Sequence, residues 1–143
     1  MIPFKNLIFK KMIQPFDDTY FMKRALQEAE IAFDKGEVPV GAVIVGPDGR
    51  ALASTGNRIE ELNDPTAHAE IQLIRAAGAK LKNYRLNDSI LYVTLEPCAM
   101  CFGSMMHARV KRLVFGAFDF KSGVCGSCIN LINENCTYYY WFK

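Results

Sequence analysis

The fold is decided by the stretch Ile90-Leu91-Tyr92-Val93-Thr94-Leu95-Glu96-Pro97-Cys98-Ala99-Met100-Cys101. Residues 90–94 are branched and aromatic, and this composition predicts a buried β-strand. Residues 98–108 predict a helix that is entered through Pro97, because proline is favoured in the first helical turn, where its missing N–H costs nothing. A buried strand that passes directly into a helix is typical of an α/β domain.

The segments on either side continue this alternation of strands and helices. Asp17 and Asp18 are N-cap candidates for an amphipathic helix that ends before Gly36. The continuous apolar run 40–45, the turn 46–49 and a returning segment 51–54 predict a hairpin. Further elements are expected as a helix at 67–77, a short strand at 110–115, a helical turn at 129–131 and an edge strand at 136–141.

The chain is predicted to form one domain. Its 143 residues are enough to bury a core, and no repeat, low-complexity tract or Ser/Gly linker divides them. We expect a single domain at 17–143, preceded by an N-terminal extension at 1–16 that is flexible by default. The extension contains apolar residues and three lysines, but it is too short and too interrupted to span a bilayer.

Composition limits the partners and the compartment. A net charge of +2 does not by itself indicate a nucleic-acid binder, so any site for a polyanion must be local. Five cysteines are an odd number and no cleavable signal peptide precedes them, which argues against a secreted disulfide framework. We therefore expect a cytoplasmic protein with no membrane partner.

Two short motifs predict a catalytic zinc site. Cys98 and Cys101 are spaced to project from one face of a helix, and its N-terminus favours thiolate over thiol. With His68 they make three protein ligands, which leaves the fourth position of a tetrahedral zinc for water. Glu70 is the spare carboxylate for proton transfer. Residues two apart diverge on a regular helix, so His68 must stand in the first turn for Glu70 to reach the same ion.

A second Cys-x-x-Cys offers an alternative. Cys125 and Cys128 could join Cys98 and Cys101 in a four-thiolate structural zinc site, which would make the chain a noncatalytic zinc-ribbon interaction module. The 23 residues between Cys101 and Cys125 exceed the roughly 15 to 20 typical of such ribbons. This arrangement also leaves the histidine and the glutamate without a role. Two small residues in a Gly-rich turn are the simpler interpretation of Cys125 and Cys128.

Together the motifs H-x-E and P-C-x-x-C resemble the zinc-dependent cytidine and deoxycytidylate deaminase superfamily. Within it the chain is most like the bacterial tRNA-specific adenosine deaminases, over about residues 22–127. The resemblance is carried by Gly36-Glu37-Val38-Pro39-Val40-Gly41-Ala42, Asn57-Arg58, residues 64–70, Asn83-Tyr84-Arg85-Leu86, residues 92–101, Phe115-Gly116-Ala117, Asp119, Lys121 and Gly123.

The resemblance implies a three-layer α/β/α sandwich on a mixed five-stranded sheet, and a homodimer that binds a tRNA anticodon loop. It implies one Zn²⁺ per subunit, and no DNA partner is expected. The reaction implied is hydrolytic deamination of adenosine to inosine at the wobble position, with release of ammonia. Roles carry over residue by residue: His68, Cys98 and Cys101 as zinc ligands, Glu70 as the proton shuttle, Asn57 and Val38 against the extruded base, and Asp119 with Lys121 against neighbouring nucleotides.

Other interpretations stay open at this point. Val38 could be a core strand residue, Asn57 a turn residue that caps its own backbone, and Asp119 with Lys121 a solvated loop pair. The C-terminus departs from the family, whose members continue into a longer basic segment, and it is therefore expected to be atypically short. The alternative activity is deamination of free nucleobases or nucleotides of the guanine or cytosine type.

Overall fold

The computed structural model describes residues 16–132 and 139–141. Except for Phe16, the N-terminal extension predicted for residues 1–16 lies outside this part. The helices are α1 (Asp18–Asp34), α2 (Ile59–Leu62), α3 (Ala69–Leu81) and α4 (Ala99–Ala108). The strands are β1 (Gly41–Val45), β2 (Ala51–Gly56), β3 (Ile90–Leu95), β4 (Arg112–Ala117) and β5 (Tyr139–Trp141).

The strands form one mixed sheet in the order β2-β1-β3-β4-β5. β1 pairs antiparallel with β2 and β3, whereas β3 pairs parallel with β4. The helix α4 connects β3 to β4. The four strands β1 to β4 make up the body of the sheet. The three-residue β5 pairs parallel with β4 at its edge. The prediction of an α/β domain is confirmed.

Helices cover both faces of the sheet. All five residues of β1 are buried, as a strand covered on both sides requires. Val43 and Val45 pack with Met22 and Ala25 of α1 on one face. Ala42 and Ile44 point to the opposite face, where the cluster contains Leu73 of α3 and Met105 of α4. The larger of the two cores therefore lies beneath the helices that carry the zinc-site motifs.

The C-terminal part of the described chain differs from one expectation. No helical turn forms at 129–131, so that prediction is wrong. Instead Cys125 and Asn130 form an isolated antiparallel bridge, and the N–H of Leu131 donates to the carbonyl oxygen of Val124 at 2.8 Å. Of the edge strand predicted at 136–141, residues 139–141 form β5, and the remainder lies outside the described residues.

The strand ends place the candidate residues along one edge of the sheet. Because β1 is antiparallel to both neighbours, its first residue Gly41 lies beside Gly56 at the end of β2 and accordingly near the end of β3. The N–H of Gly41 donates to Oγ1 of Thr94 at 3.2 Å. The segments before β1, after β2 and after β3 thus meet at this edge.

No helix in the described ranges has the length and apolar character to cross a bilayer.

Candidate active site

His68, Cys98 and Cys101 form a group whose ligand atoms all lie within 4.8 Å of one another. Nδ1 of His68 is 3.4 Å from Sγ of Cys101 and 3.7 Å from Sγ of Cys98. In residues 16–132 and 139–141, no second group of three His, Cys, Asp or Glu side chains comes together in this way. One imidazole and two sulfurs are soft and borderline donors that suit zinc, and their separations allow all three to reach one ion.

Two helix N-termini hold this group. His68 is the N-cap of α3, with extended backbone angles of φ −63° and ψ 155°. Cys98 is the N-cap of α4, with φ −80° and ψ 174°, and Cys101 follows in the first turn. The side chain of His68 makes no capping bond to α3. The histidine thus stands at the helix start, where sequence spacing required it to be, and the positive ends of both helix dipoles favour anionic sulfur.

The Cys98 and Cys101 side chains are joined by a hydrogen bond between their sulfur atoms. A hydrogen bond from Cys101 lowers the pKa of the Cys98 thiol to about 5. The same bond, together with burial, raises the pKa of Cys101 well above its usual range. A divalent cation in place of the proton in this hydrogen bond would stabilise both sulfurs as thiolates. The chemistry of the donor set therefore fits a metal better than it fits an isolated thiol pair.

Glu70 lies in the first turn of α3, and only 4% of its surface is exposed. Burial raises the pKa of its carboxyl group, against the opposing effect of a backbone hydrogen bond. The same carboxyl interacts with Cys101 and His68, which places it beside the ligand group. A carboxyl group with a raised pKa holds a proton more readily than an ordinary one, which suits a group that must accept a proton and later donate it.

Asn57 and Val38 line the edge on which this group lies. Asn57 is buried, and its Oδ1 accepts a hydrogen bond from the N–H of Ala69 at 2.8 Å. It caps the start of α3 rather than its own backbone, so that alternative is wrong. Val38 precedes β1 and is 59% exposed, so the alternative of a core strand residue is wrong as well.

Asp119 and Lys121 lie in the loop that follows β4. The carboxylate of Asp119 accepts hydrogen bonds from the N–H groups of Lys121 and Ser122 at 3.0 and 3.2 Å, and from Oγ of Ser122 at 2.7 Å. Lys121 is exposed. The loop is connected to the ligand group through the backbone, because the N–H of Val124 donates to the carbonyl oxygen of Pro97 at 3.0 Å.

Glu96 is a buried carboxylate for which the sequence suggested no role. It is 2% exposed and accepts hydrogen bonds from the N–H groups of Asp119, Cys125 and Ser127 at 2.9, 2.8 and 3.1 Å, and from the Ser127 hydroxyl. Burial raises its pKa, but these hydrogen bonds outweigh that effect and the net pKa is lowered. A charged residue directly between a buried strand and Pro97 was the available signal.

Glu37 is the second such residue. It is 6% exposed, and its carboxylate accepts hydrogen bonds from the N–H groups of Glu60 and Glu61 at 3.2 and 2.9 Å. These two donors belong to the first turn of α2, whose N-cap side chain makes no capping bond. Glu37 therefore supplies from a distance the acceptor that the start of α2 lacks locally.

Cys125 and Cys128 do not join the ligand group. Cys125 is buried, and burial raises the pKa of its thiol to about 12. The Cys128 thiol is exposed and donates to the carbonyl oxygen of Phe120 at 2.8 Å. In the part of the chain that the structure describes, the metal-ligand group contains His68 in place of these two thiols. The four-thiolate interpretation has no geometric support there.

Comparisons with known proteins identify the family of the chain. Residues 15–117 match the family model of the cytidine and deoxycytidylate deaminase zinc-binding region. A tRNA-specific adenosine deaminase of Agrobacterium fabrum is 50% identical over 116 residues, which are 81% of this chain and 76% of that protein. Its counterpart in Haemophilus influenzae is 46% identical over 125 residues, or 87% of this chain and 71% of that protein.

Solved structures show the same relationship. A structure from work on A-to-I editing by tRNA deaminases at the wobble position superposes with a TM-score of 0.81 and 47% identity, over 87% of this chain and 98% of that one. Guanine deaminase from Bacillus subtilis superposes with a TM-score of 0.70 and 33% identity, over 85% and 88% of the two chains. The chain therefore belongs to the cytidine and deoxycytidylate deaminase zinc-binding family, and within it resembles the tRNA-specific adenosine deaminases.

Proposed function

We propose that this protein catalyses the zinc-dependent hydrolytic deamination of adenosine to inosine at the wobble position of tRNA, with release of ammonia. The observation that carries the proposal is the meeting of His68, Cys98 and Cys101 beside the buried carboxyl group of Glu70. The similarity to tRNA-specific adenosine deaminases over more than four fifths of the chain supports the choice of substrate.

His68, Cys98 and Cys101 would hold one zinc ion per subunit. Three protein donors are one fewer than a closed structural zinc site has. When bound, zinc lowers the pKa of water toward neutrality and so supplies a hydroxide nucleophile at physiological pH. The starts of α3 and α4 and the buried position of Cys101 determine where the three donors lie.

Glu70 would move the protons, as the carboxylate does in zinc deaminases generally. It accepts a proton from the attacking water and delivers it to a ring nitrogen of adenine while the oxygen bonds to C6. It then transfers the second water proton to the amino group, which leaves as ammonia. Its raised pKa suits both steps, because the same group must act as base and then as acid.

Asn57 and Val38 would bind the extruded base. Since the Asn57 oxygen is engaged by Ala69, the amide NH₂ is the group that can donate to the base. Val38 offers an exposed apolar surface at the same edge of the sheet. Asp119 and Lys121 would contact neighbouring nucleotides. Extruding a base costs a few kcal/mol and is least costly in a single-stranded loop such as the anticodon loop.

We also propose the assembly and setting that the family implies. Residues 17–143 would form one deaminase domain, a three-layer sandwich on a five-stranded sheet, that works as a homodimer on the tRNA anticodon loop. A cytoplasmic location suits the odd number of cysteines and a tRNA substrate. The likeness to Bacillus subtilis guanine deaminase favours one second candidate, which is deamination of a free purine base.

The test offers both kinds of substrate to the purified zinc-loaded protein. tRNA with adenosine at the wobble position, free adenine, guanine and cytosine are incubated in parallel, and inosine and ammonia are measured. We expect inosine in the tRNA alone. Ammonia from a free base with the tRNA unchanged would overturn the proposal and support the second candidate.

The control is Glu70→Gln, which keeps the size of the side chain and removes its proton exchange. We expect inosine formation to fall roughly 10²- to 10⁴-fold, while metal analysis still finds one zinc per chain. Unchanged turnover in this variant would remove Glu70 from the mechanism.

A further inference from the structure

Three phenylalanine rings lead from the core to the surface after β4. Phe115 is 2% exposed, Phe118 is 36% exposed and Phe120 is 81% exposed. The centroids of Phe115 and Phe118 are 5.7 Å apart with the rings at 67°, and those of Phe118 and Phe120 are 6.0 Å apart at 42°. Phe120 thus keeps most of its ring in water, although its inner neighbour is anchored on a buried side chain.

The loop that presents Phe120 is held by hydrogen bonds on both sides of the ring. The Asp119 N–H donates to the buried Glu96 carboxylate, and Oγ of Ser127, which contacts the same carboxylate, lies 2.6 Å from the Asp119 carbonyl oxygen. The carbonyl oxygen of Phe120 itself accepts from the Cys128 thiol. The backbone that carries the ring is therefore fixed, so a partner that binds there has little ordering cost to overcome.

Tight packing reinforces this arrangement. A side-chain carbon added at Gly123 would collide with the carboxylate of Glu96, so the loop lies directly against that residue. Glu96 is two residues from Cys98, and the loop also bonds to the carbonyl oxygen of Pro97 through Val124. The ring is consequently tied to the chain segment that supplies a candidate zinc ligand.

We propose that Phe120 is a stacking surface for an unpaired nucleobase that flanks the adenosine being deaminated. The inference rests on the proposed function. A planar base can lie on an exposed aromatic face, and the exposed Lys121 next in the chain offers a cation to the adjoining phosphate. Stacking needs no particular base, so the ring contributes affinity and positioning rather than sequence readout.

The first experiment measures binding separately from chemistry. Three proteins are compared, all carrying Glu70→Gln: the parent with Phe120 unchanged, Phe120→Leu and Phe120→Trp. Fluorescence anisotropy gives the dissociation constant of each for a stem-loop RNA that contains the target adenosine. We expect roughly 5- to 100-fold weaker binding for Phe120→Leu and near-complete recovery for Phe120→Trp, since tryptophan restores an aromatic face. Phe33→Leu is the matched control, because Phe33 is 66% exposed on α1 and should not matter.

The second experiment locates the base. Stem-loops that lack one base, at each of the two positions on either side of the adenosine, are compared in the same assay. At one of these positions, removal of the base should weaken RNA binding by the parent protein by the same factor as the Phe120→Leu substitution does. At that position the missing base should cause no additional loss of affinity in Phe120→Leu. With Glu70 intact, Phe120→Leu should raise KM and change kcat by less than about threefold.

Several outcomes would overturn the inference while leaving the proposed function intact. One is equal RNA binding by Phe120→Leu and its parent, and another is additive losses at every abasic position. A change in oligomeric state with unchanged RNA affinity would show that the ring contacts protein. If the wild-type protein formed no inosine, the proposed function would fail instead. The two failures are distinguishable because the binding assay does not depend on turnover.

Discussion

The amide of Asn57 joins the end of β2 to the start of α3, and its removal should cost stability as well as activity. In Asn57→Ala the buried N–H of Ala69 loses its acceptor, and we expect the free energy of unfolding to fall by about 1–3 kcal/mol. Asn83→Ala is the control, because Asn83 accepts from the N–H of Arg85 at an exposed position where water can replace it. Denaturant titration of both variants makes the comparison, and equal losses would contradict the structural role.

Cysteine substitutions separate the two metal sites that the sequence allowed. Cys101→Ser should lose zinc, because Cys101 is buried within the ligand group and a serine hydroxyl is a poor replacement for a thiolate. Cys128→Ser should keep about one zinc per chain, since the Cys128 thiol faces a backbone carbonyl instead. Metal analysis after gel filtration measures both. The opposite pattern would restore the four-thiolate site.

The start of α1 is fastened to the sheet by one carboxylate. Asp18 accepts hydrogen bonds from both terminal nitrogens of Arg112 at 2.7 and 2.6 Å, and from the hydroxyl of Tyr92 at 2.6 Å. The Arg112 guanidinium holds the pKa of Asp18 below its usual value, although burial opposes this. Since Arg112 opens β4 and Tyr92 lies in β3, one side chain joins three elements.

This arrangement predicts a pH-dependent loss of stability. The pKa of Asp18 is lower in the folded protein than in the unfolded chain, where it is about 3.9. The contribution of Asp18 to the free energy of unfolding is therefore complete above that pH, and it is lost as the pH falls through the folded pKa. Asp18→Asn should therefore lower the free energy of unfolding by about 1–2 kcal/mol at pH 6–8, and the difference from wild type should shrink below about pH 4.

The matching measurement is a series of denaturant titrations from pH 3 to pH 8. Asp48→Asn is the control, since Asp48 lies in the hairpin turn and accepts one backbone hydrogen bond that asparagine can also accept. A difference between Asp18→Asn and wild type that persists unchanged to pH 3 would disprove the assignment to Asp18 ionisation.

Elements with local causes were predictable from the sequence. Asp17 caps α1 through a hydrogen bond from the N–H of Tyr20 at 2.9 Å, as its position before an amphipathic run indicated. The hairpin follows from turn residues that are adjacent in sequence. In contrast, α2 is a four-residue helix without a buried residue, and its first turn is held by Glu37, more than 20 residues away. The fold of residues 124–131 likewise depends on Glu96, which local periodicity does not reveal.

The candidate site divides in the same way. The types and spacing of His68, Glu70, Cys98 and Cys101 predict three metal ligands and one free carboxylate at the starts of two helices. The sequence could therefore indicate the chemistry of these residues. The contact of Asn57 with Ala69 spans 12 residues and that of Glu96 with Cys125 spans 29. Both are buried hydrogen bonds between segments whose approach is set by the sheet, and no local pattern encodes them.

At the scale of the whole molecule, the proposed zinc joins the starts of α3 and α4, which cover the same face of the sheet. A metal that binds the folded protein but not the unfolded chain raises the free energy of unfolding by about 3 kcal/mol when its free concentration is a hundred times Kd. Chelation should therefore lower Tm by roughly 5–15 °C. Calorimetry with and without chelator measures this, and added zinc should restore Tm. His68→Ala should have a low Tm that chelator does not change. His107→Ala should respond as wild type does, because His107 lies exposed in the last turn of α4. A chelator response that survives in His68→Ala would mean that the stabilising metal binds elsewhere.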